Sequence, residues 1–257
     1  MAMNRKCTLA GAHGSHWCDS HREGLERYVE SLQNLTDCDH VVATNELPGW
    51  FETMLNGAGV HILKREKKVI PDRESNRFAL DCYMARLDFM RKCEYETVIH
   101  TDSCDVTFQV DIPVMKGLHL VSEGMTHADS QFNREDQEKF RPHDWRDLLP
   151  RDVVNGGTHI GSKWNLIAFY ETLLTYTANC SRTYTDQAVA NFLAWKCGFG
   201  KNVHHPAISD LCLTGEGVRY GVQAIKDAMG DYVDPFGRPY MIVHQEWRMS
   251  LCKLSAT

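Results

Sequence analysis

The sequence contains no run approaching the ~18 apolar residues needed to span a membrane, and its first residues, MAMNRKCTLAGAHG, lack the apolar core of a signal peptide. The expectation is a cytoplasmic protein without a membrane span. Its ten cysteines form no C-x-x-C pair, so they read as reduced, mostly buried thiols and not as a disulfide framework. There is no G-x-x-x-x-G-K-[ST] phosphate loop, which argues against a P-loop nucleotidyl- or phosphotransferase. No internal repeat or low-complexity tract appears. Basic charge is not in excess either: 28 Lys and Arg stand against 34 Asp and Glu, which removes the electrostatic case for nucleic acid or an anionic membrane as partner. What is there is a chain of 257 residues, 43% hydrophobic and 24% charged, consistent with a single domain, 1–257, that buries its own core.

Short β-rich runs alternate with helical ones. KCTLAGA (6–12), HVVATNE (40–46), VHILK (60–64), TVIHTD (97–102), GLHLVSE (117–123) and YMIVHQ (240–245) read as strands. Apolar residues recur at helical spacing over 22–35 and 78–92, with a short helix over 49–56. Ser162 and Thr185 are candidate N-caps for helices over 163–177 and 186–196, the second stopped by Gly198. A last helix is expected over 222–229, and 126–149 reads as a polar surface excursion. Trp164 and Trp195 are expected in the core, whereas Trp145 and Trp247 are candidates to stack on sugars. The β-α-β order predicts an α/β sandwich with a Rossmann-like, mostly parallel central sheet, whose ligand site lies beyond the carboxyl ends of its strands.

That is where VIHTDSCDVTFQVD (98–111) places Asp102 and Asp105. Carboxylates at the end of a buried strand need compensation. An Asx turn is the bland explanation, and a hard cation such as Mg²⁺ or Mn²⁺ is the functional one. His244 ends another apolar run, MIVHQEW. A histidine there is commonly structural, but beside a carboxylate pair it becomes a third ligand and tilts the choice toward Mn²⁺. HGSHWCDSH (13–21) offers zinc-type donors at spacings that match no common structural site.

Four blocks, VIHTDSCDVTFQVDIP, DVVNGGTHIGS, TYTDQAVAN and IVHQEWR, occur in this order along the chain. Together they resemble GT-A glycosyltransferases: the metal-site strand with its DxD motif, the acceptor-side loop, the "DQ" helix start and the late metal-binding histidine. The match departs at D-S-C-D, where the usual first aspartate position is Ser103 and Asp102 lies one residue earlier. Asp105 is therefore the firmer ligand, and Asp102 binds the metal, through water or directly, or the nucleotide.

The resemblance implies a metal-dependent, inverting transferase that moves a sugar from a nucleoside-diphosphate sugar, taken as a UDP-sugar, to a hydroxyl of a glycan acceptor. Residues 1–110 would form the nucleotide-sugar half and 111–257 the acceptor half. Asp102, Asp105 and His244 would hold Mn²⁺ or Mg²⁺. Ala10, Gly11, Arg77, Asp102 and Ser103 would meet the nucleotide-sugar. Asn155, Gly156, Gly157, Glu123 and Gln187 would meet the acceptor or reacting sugars, with His159 pointing toward the same cleft. Asp186 would be the catalytic base, although a carboxylate in a first helical turn is also explained by the helix dipole. The competing readings are a nucleotidyl- or phosphotransferase on sugar nucleotides and a non-catalytic nucleotide-sugar-binding module. A haloacid-dehalogenase-type phosphatase fails on the D-S-C-D-V spacing.

Overall fold

The computed structural model describes residues 5–12, 19–44, 47–64, 74–178, 186–246 and 249, with the backbone alone at 12, 19–20, 74–82 and 178. The chain opens with β1 (Lys6–Ala12), α1 (Asp19–Ser31), β2 (Cys38–Thr44), α2 (Gly49–Gly57), β3 (His61–Lys64) and α3 (Glu74–Lys92). It continues through β4 (Thr97–Asp102), β5 (Val106–Phe108), β6 (Leu118–Thr126), α4 (Gln131–Phe140), β7 (Asp152–Ser162), α5 (Lys163–Ala178) and α6 (Asp186–Lys196). The last part holds β8 (Val203–His204), β9 (Cys212–Thr214), α7 (Gly215–Arg219), β10 (Ile225–Lys226), β11 (Tyr232–Val233) and β12 (Ile242–His244).

Seven strands form one sheet in the order β3-β2-β1-β4-β7-β6-β8. All its pairings are parallel except those of β7, which runs antiparallel to both neighbours. The expected Rossmann-like α/β sandwich is therefore the observed fold. Side chains alternate across the strands, and the two faces build separate cores. Cys7, Leu9, Val41 and Val98 pack with α3, α5 and α6. Ala10, Val42 and Ile99 pack with Leu25 and Tyr28 of α1 and Phe51 and Leu55 of α2. Among the described residues no helix is long and apolar enough to cross a membrane.

From β1 the chain moves outward to β2 and β3, then crosses back to β4 on the other side of β1. The carboxyl ends of β1 and β4 therefore flank the point where strand order reverses, the place an open α/β sheet offers a ligand. Gly11 pairs with Asp102 in that register. A second, three-stranded sheet, β5-β12-β9, sets His244 opposite Val106, one residue from Asp105. Gln245 N donates to Asp105 O at 2.6 Å, and the left-handed φ of 62° at Gln245 turns the chain away at once.

Several expectations give way. The polar 126–149 stretch contains α4 and a 3-10 turn over Trp145–Leu148, because α4 packs on α6 with polar groups that hydrogen-bond across the contact. Ser130 caps α4 by accepting from Asn133 N, and Gln137 Nε2 donates to Ala188 O at 2.8 Å. The expected 222–229 helix is absent. Asp227 Oδ1 accepts from the backbone N of Met229 and Asp231, a turn that closes β10 against β11. The NGG segment, expected in an acceptor-side loop, lies inside β7. Trp164 is 67% exposed, with Lys163 Nζ 4.7 Å from its ring, while Trp195 is half-buried and donates to Asp152 O. Cysteine burial is mixed among the described thiols: Cys7 and Cys212 are buried, Cys38, Cys93 and Cys104 half-buried and Cys197 exposed. Thr185, Trp247 and residues 13–18 lie outside the described residues.

Candidate functional site

Asp102 ends β4, Asp105 follows it in the bend before β5, and His244 ends β12. One donor atom from each lies within 4.8 Å of the other two. Nε2 of His244 is 3.4 Å from Asp105 Oδ2 and 3.7 Å from Asp102 Oδ2. The imidazole is 1% exposed, while Asp102 and Asp105 keep 37% and 26% of their side-chain surface. The histidine thus forms the floor of a recess, and the carboxylates rise toward its mouth.

The electrostatics are those of a site short of positive charge. Burial, then the charge of Asp105, pushes the Asp102 carboxyl up to about 7, against the pull of His244 and Arg86. At His244 burial opposes protonation, yet Asp105 and Asp102 together outweigh it and raise the imidazole to about 9. Both groups are thereby pushed toward their protonated forms, and a cation would compete with those protons. An octahedral ion with bonds of ~2.1 Å sets neighbouring donors ~3 Å apart, so the observed 3.4 and 3.7 Å need only a small closure. Two carboxylates with one imidazole suit Mg²⁺ or, better, Mn²⁺. The three residues fit the ion.

Gly157 makes room for them. A Cβ at 157 would lie 2.3 Å from Asp102 Oδ2 and 2.9 Å from His244 Cε1. The glycine is held in register by Asn155, whose Oδ1 accepts from Gly157 N at 2.9 Å and whose Nδ2 donates to Glu123 Oε1 at 2.6 Å. Asn155 is thereby buried, 2% exposed, behind the reacting surface. Gly156 N donates to Gln187 Oε1 at 3.2 Å, which ties β7 to the start of α6.

Asp186 opens α6. Its Oδ2 accepts from the Tyr83 hydroxyl at 2.7 Å and its Oδ1 from Gln187 N at 3.0 Å. It is close enough for its charge to raise the Asp102 carboxyl. Burial, then Asp186, drives the Tyr83 hydroxyl well above its ordinary range, so Tyr83 stays a donor.

Among the nucleotide-side candidates, Ala10 is buried in the core. The Ser103 hydroxyl donates to Gly11 O at 3.0 Å, so it ties β1 to the D-S-C-D bend. The Arg77 side chain lies outside the described residues. Arg86 brings a positive charge to this end of the sheet. A Cβ on Gly11 would meet its Nη2 at 1.5 Å, so glycine is required for the guanidinium to lie across β1. Arg86 Nη1 is 2.6 Å from Nε2 of His100, an imidazole that must turn a bare nitrogen toward it. His159, expected in the cleft, is instead buried beside Tyr170, with Nδ1 3.1 Å from the hydroxyl. Burial, then Arg86, lowers it to about 3.

Sequence reasoning missed Tyr83 and Arg86. The available signal was their i, i+3 spacing, which puts two polar tips on the otherwise apolar sheet-facing side of the helix.

Beside the metal-site residues opens a cleft of about 840 Å³, with Glu123, Gln187 and Gln245 in its lining. Glu123 is 3% exposed, buried under that lining with Asn155 on its Oε1, and Gln187 is half-buried. No protein-family model matches this sequence, and no curated protein matches it.

Proposed function

We propose that this chain is a metal-dependent glycosyltransferase that moves a sugar from a nucleoside-diphosphate sugar, a UDP-sugar by preference, to a hydroxyl of a glycan acceptor with inversion. The observation that carries the reading is the convergence of Asp102, Asp105 and His244 at the strand-order reversal of the sheet. A divalent ion held there would supply Lewis-acid stabilisation of the departing diphosphate.

The chain's own residues do the rest. Asp105 and His244 hold the ion, and Asp102 completes the set as its proton is lost. Arg86 lies beyond Gly11 on the same side of the sheet and adds fixed positive charge next to the leaving group. Asp186, oriented by Tyr83 and Gln187, takes the proton of the attacking hydroxyl. The D-S-C-D, NGG, DQ and HQEW blocks, in GT-A order, support the same assignment.

The test is an assay of free UDP with UDP-sugars and Mn²⁺. Turnover that disappears on chelation and in both Asp105→Ala and His244→Ala is expected. Normal turnover in both variants removes the site assignment, and tight nucleotide binding without turnover by any donor favours a binding module. Asp186→Asn should spare donor binding and suppress transfer, so unchanged transfer removes Asp186 as the base.

A further inference from the structure

The 840 Å³ cleft beside the metal-site residues falls in the range of small-ligand sites, about 300–1,000 Å³, but its walls are unlike an ordinary apolar pocket. Two large aromatic rings line it while remaining exposed: Phe132 at 62%, from the first turn of α4, and Tyr220 at 40%, just past α7. α4 is held at that end by its Ser130 Oγ cap, and Tyr220 is held past the end of α7 by its backbone N, which donates to Glu216 O at 3.0 Å. The rings are therefore mounted on anchored termini. Exposed aromatics on the walls of one cleft offer flat apolar faces that water covers poorly.

Between them the lining is polar. Gln187, Asn133 and Gln131 contribute amides, and Gln187 Nε2 donates to Asn133 Oδ1 at 3.0 Å. Charge in the lining is unequal: the carboxylates of Glu123, Asp129, Glu135 and Glu216 face two guanidinium groups, Arg134 and Arg219. Arg219 is engaged by Glu216 at 3.6 Å, and Arg134 donates to Ala128 O. An anion entering the cleft meets four acidic residues against two basic ones.

Resting on the glycosyltransferase reading for its place in the reaction, we propose that this cleft binds an uncharged pyranose, the acceptor sugar, between Phe132 and Tyr220, and rejects sugar acids. A pyranose carries an apolar C–H face and a rim of hydroxyls. The faces match the two rings, and the hydroxyls match the amides and carboxylates. A carboxylate on the sugar would be repelled by the four acids.

The test is saturation-transfer NMR with the full chain and Mn²⁺. The probes are methyl glycosides of glucose, galactose, mannose and N-acetylglucosamine, set against glucuronic acid and N-acetylneuraminic acid. At least one neutral glycoside should bind, and Phe132→Ala and Tyr220→Ala should each weaken it by about tenfold, with folding checked by thermal denaturation. The sugar acids should not bind. Equal binding of the acids, no binding of any neutral glycoside, or affinity unchanged in both variants overturns the proposal. The UDP-release assay is independent of these outcomes. Sugar binding without release by any donor sinks the transferase reading and leaves the cleft, whereas release without sugar binding does the reverse.

Discussion

Gly157 faces Asp102 so closely that one added methyl carbon would sit 2.3 Å from its Oδ2. The strand that supplies the glycine, β7, is the antiparallel member of a parallel sheet. It meets β4 at the strand end where the carboxylates emerge. The site is therefore shaped by a missing side chain as much as by its three donors.

Gly157→Ala should reduce Mn²⁺ affinity roughly 10–100-fold, the range seen when supports of metal ligands are disturbed. Fold stability should change less, because both groups the Cβ meets, Asp102 and His244, are side-chain and not backbone atoms. Calorimetric titration with Mn²⁺ reads the effect, and unaltered affinity would contradict the packing described.

Metal binding and stability should both depend on pH, in a direction set by Asp102 and His244. Folding raises Asp102 from 3.8 to about 7 and His244 from 6.5 to about 9. A group with a raised folded value contributes stability that is complete below its unfolded value and lost as pH rises through the folded one. Metal-free protein should therefore lose stability through Asp102 between pH 3.8 and about 7, and through His244 between 6.5 and about 9. Mn²⁺ needs the deprotonated forms, so its affinity should climb over the upper window and offset the loss. Melting curves at pH 6, 7.5 and 9, with chelator and with Mn²⁺, check the sign; a metal-free melting temperature that rises to pH 9 refutes it.

Tyr83→Phe removes the hydroxyl that donates to Asp186 and keeps the ring. Transfer should fall while nucleotide binding holds, because Asp186 loses the hydroxyl that orients it. The stability cost should be about 1 kcal/mol. Unchanged transfer assigns Tyr83 a packing role.

Asn191 is completely buried. Its Oδ1 accepts from Val154 N at 2.7 Å, and its Nδ2 donates to Val154 O and Gln187 O, each at 2.8 Å. One amide thus joins α6 to β7 just before Asn155. Asn191→Ala strands several buried backbone groups and should destabilise the protein by about 3 kcal/mol. Urea denaturation measures it, and a cost under ~1 kcal/mol would show that α6 is held by its apolar face alone.

By itself the sequence determined the layered α/β architecture, because period-two and period-3.6 apolar patterns are local properties of the strands and of α1, α3, α5 and α6. It also placed Asp102, Asp105 and His244 at strand ends, since each terminates an apolar run. It misread α4, whose buried Asn133, Asp136 and Gln137 look like surface residues until the groups around them are seen. It also passed over Arg86, whose surroundings of Gly11, Tyr83 and His100 come from three separate elements.

Tertiary structure alone decided that a histidine 139 positions beyond Asp105 (244 − 105) shares its recess. That contact follows from the β5–β12 pairing, and strand pairing between distant segments depends on which edges the folded chain leaves adjacent. No local pattern encodes that choice.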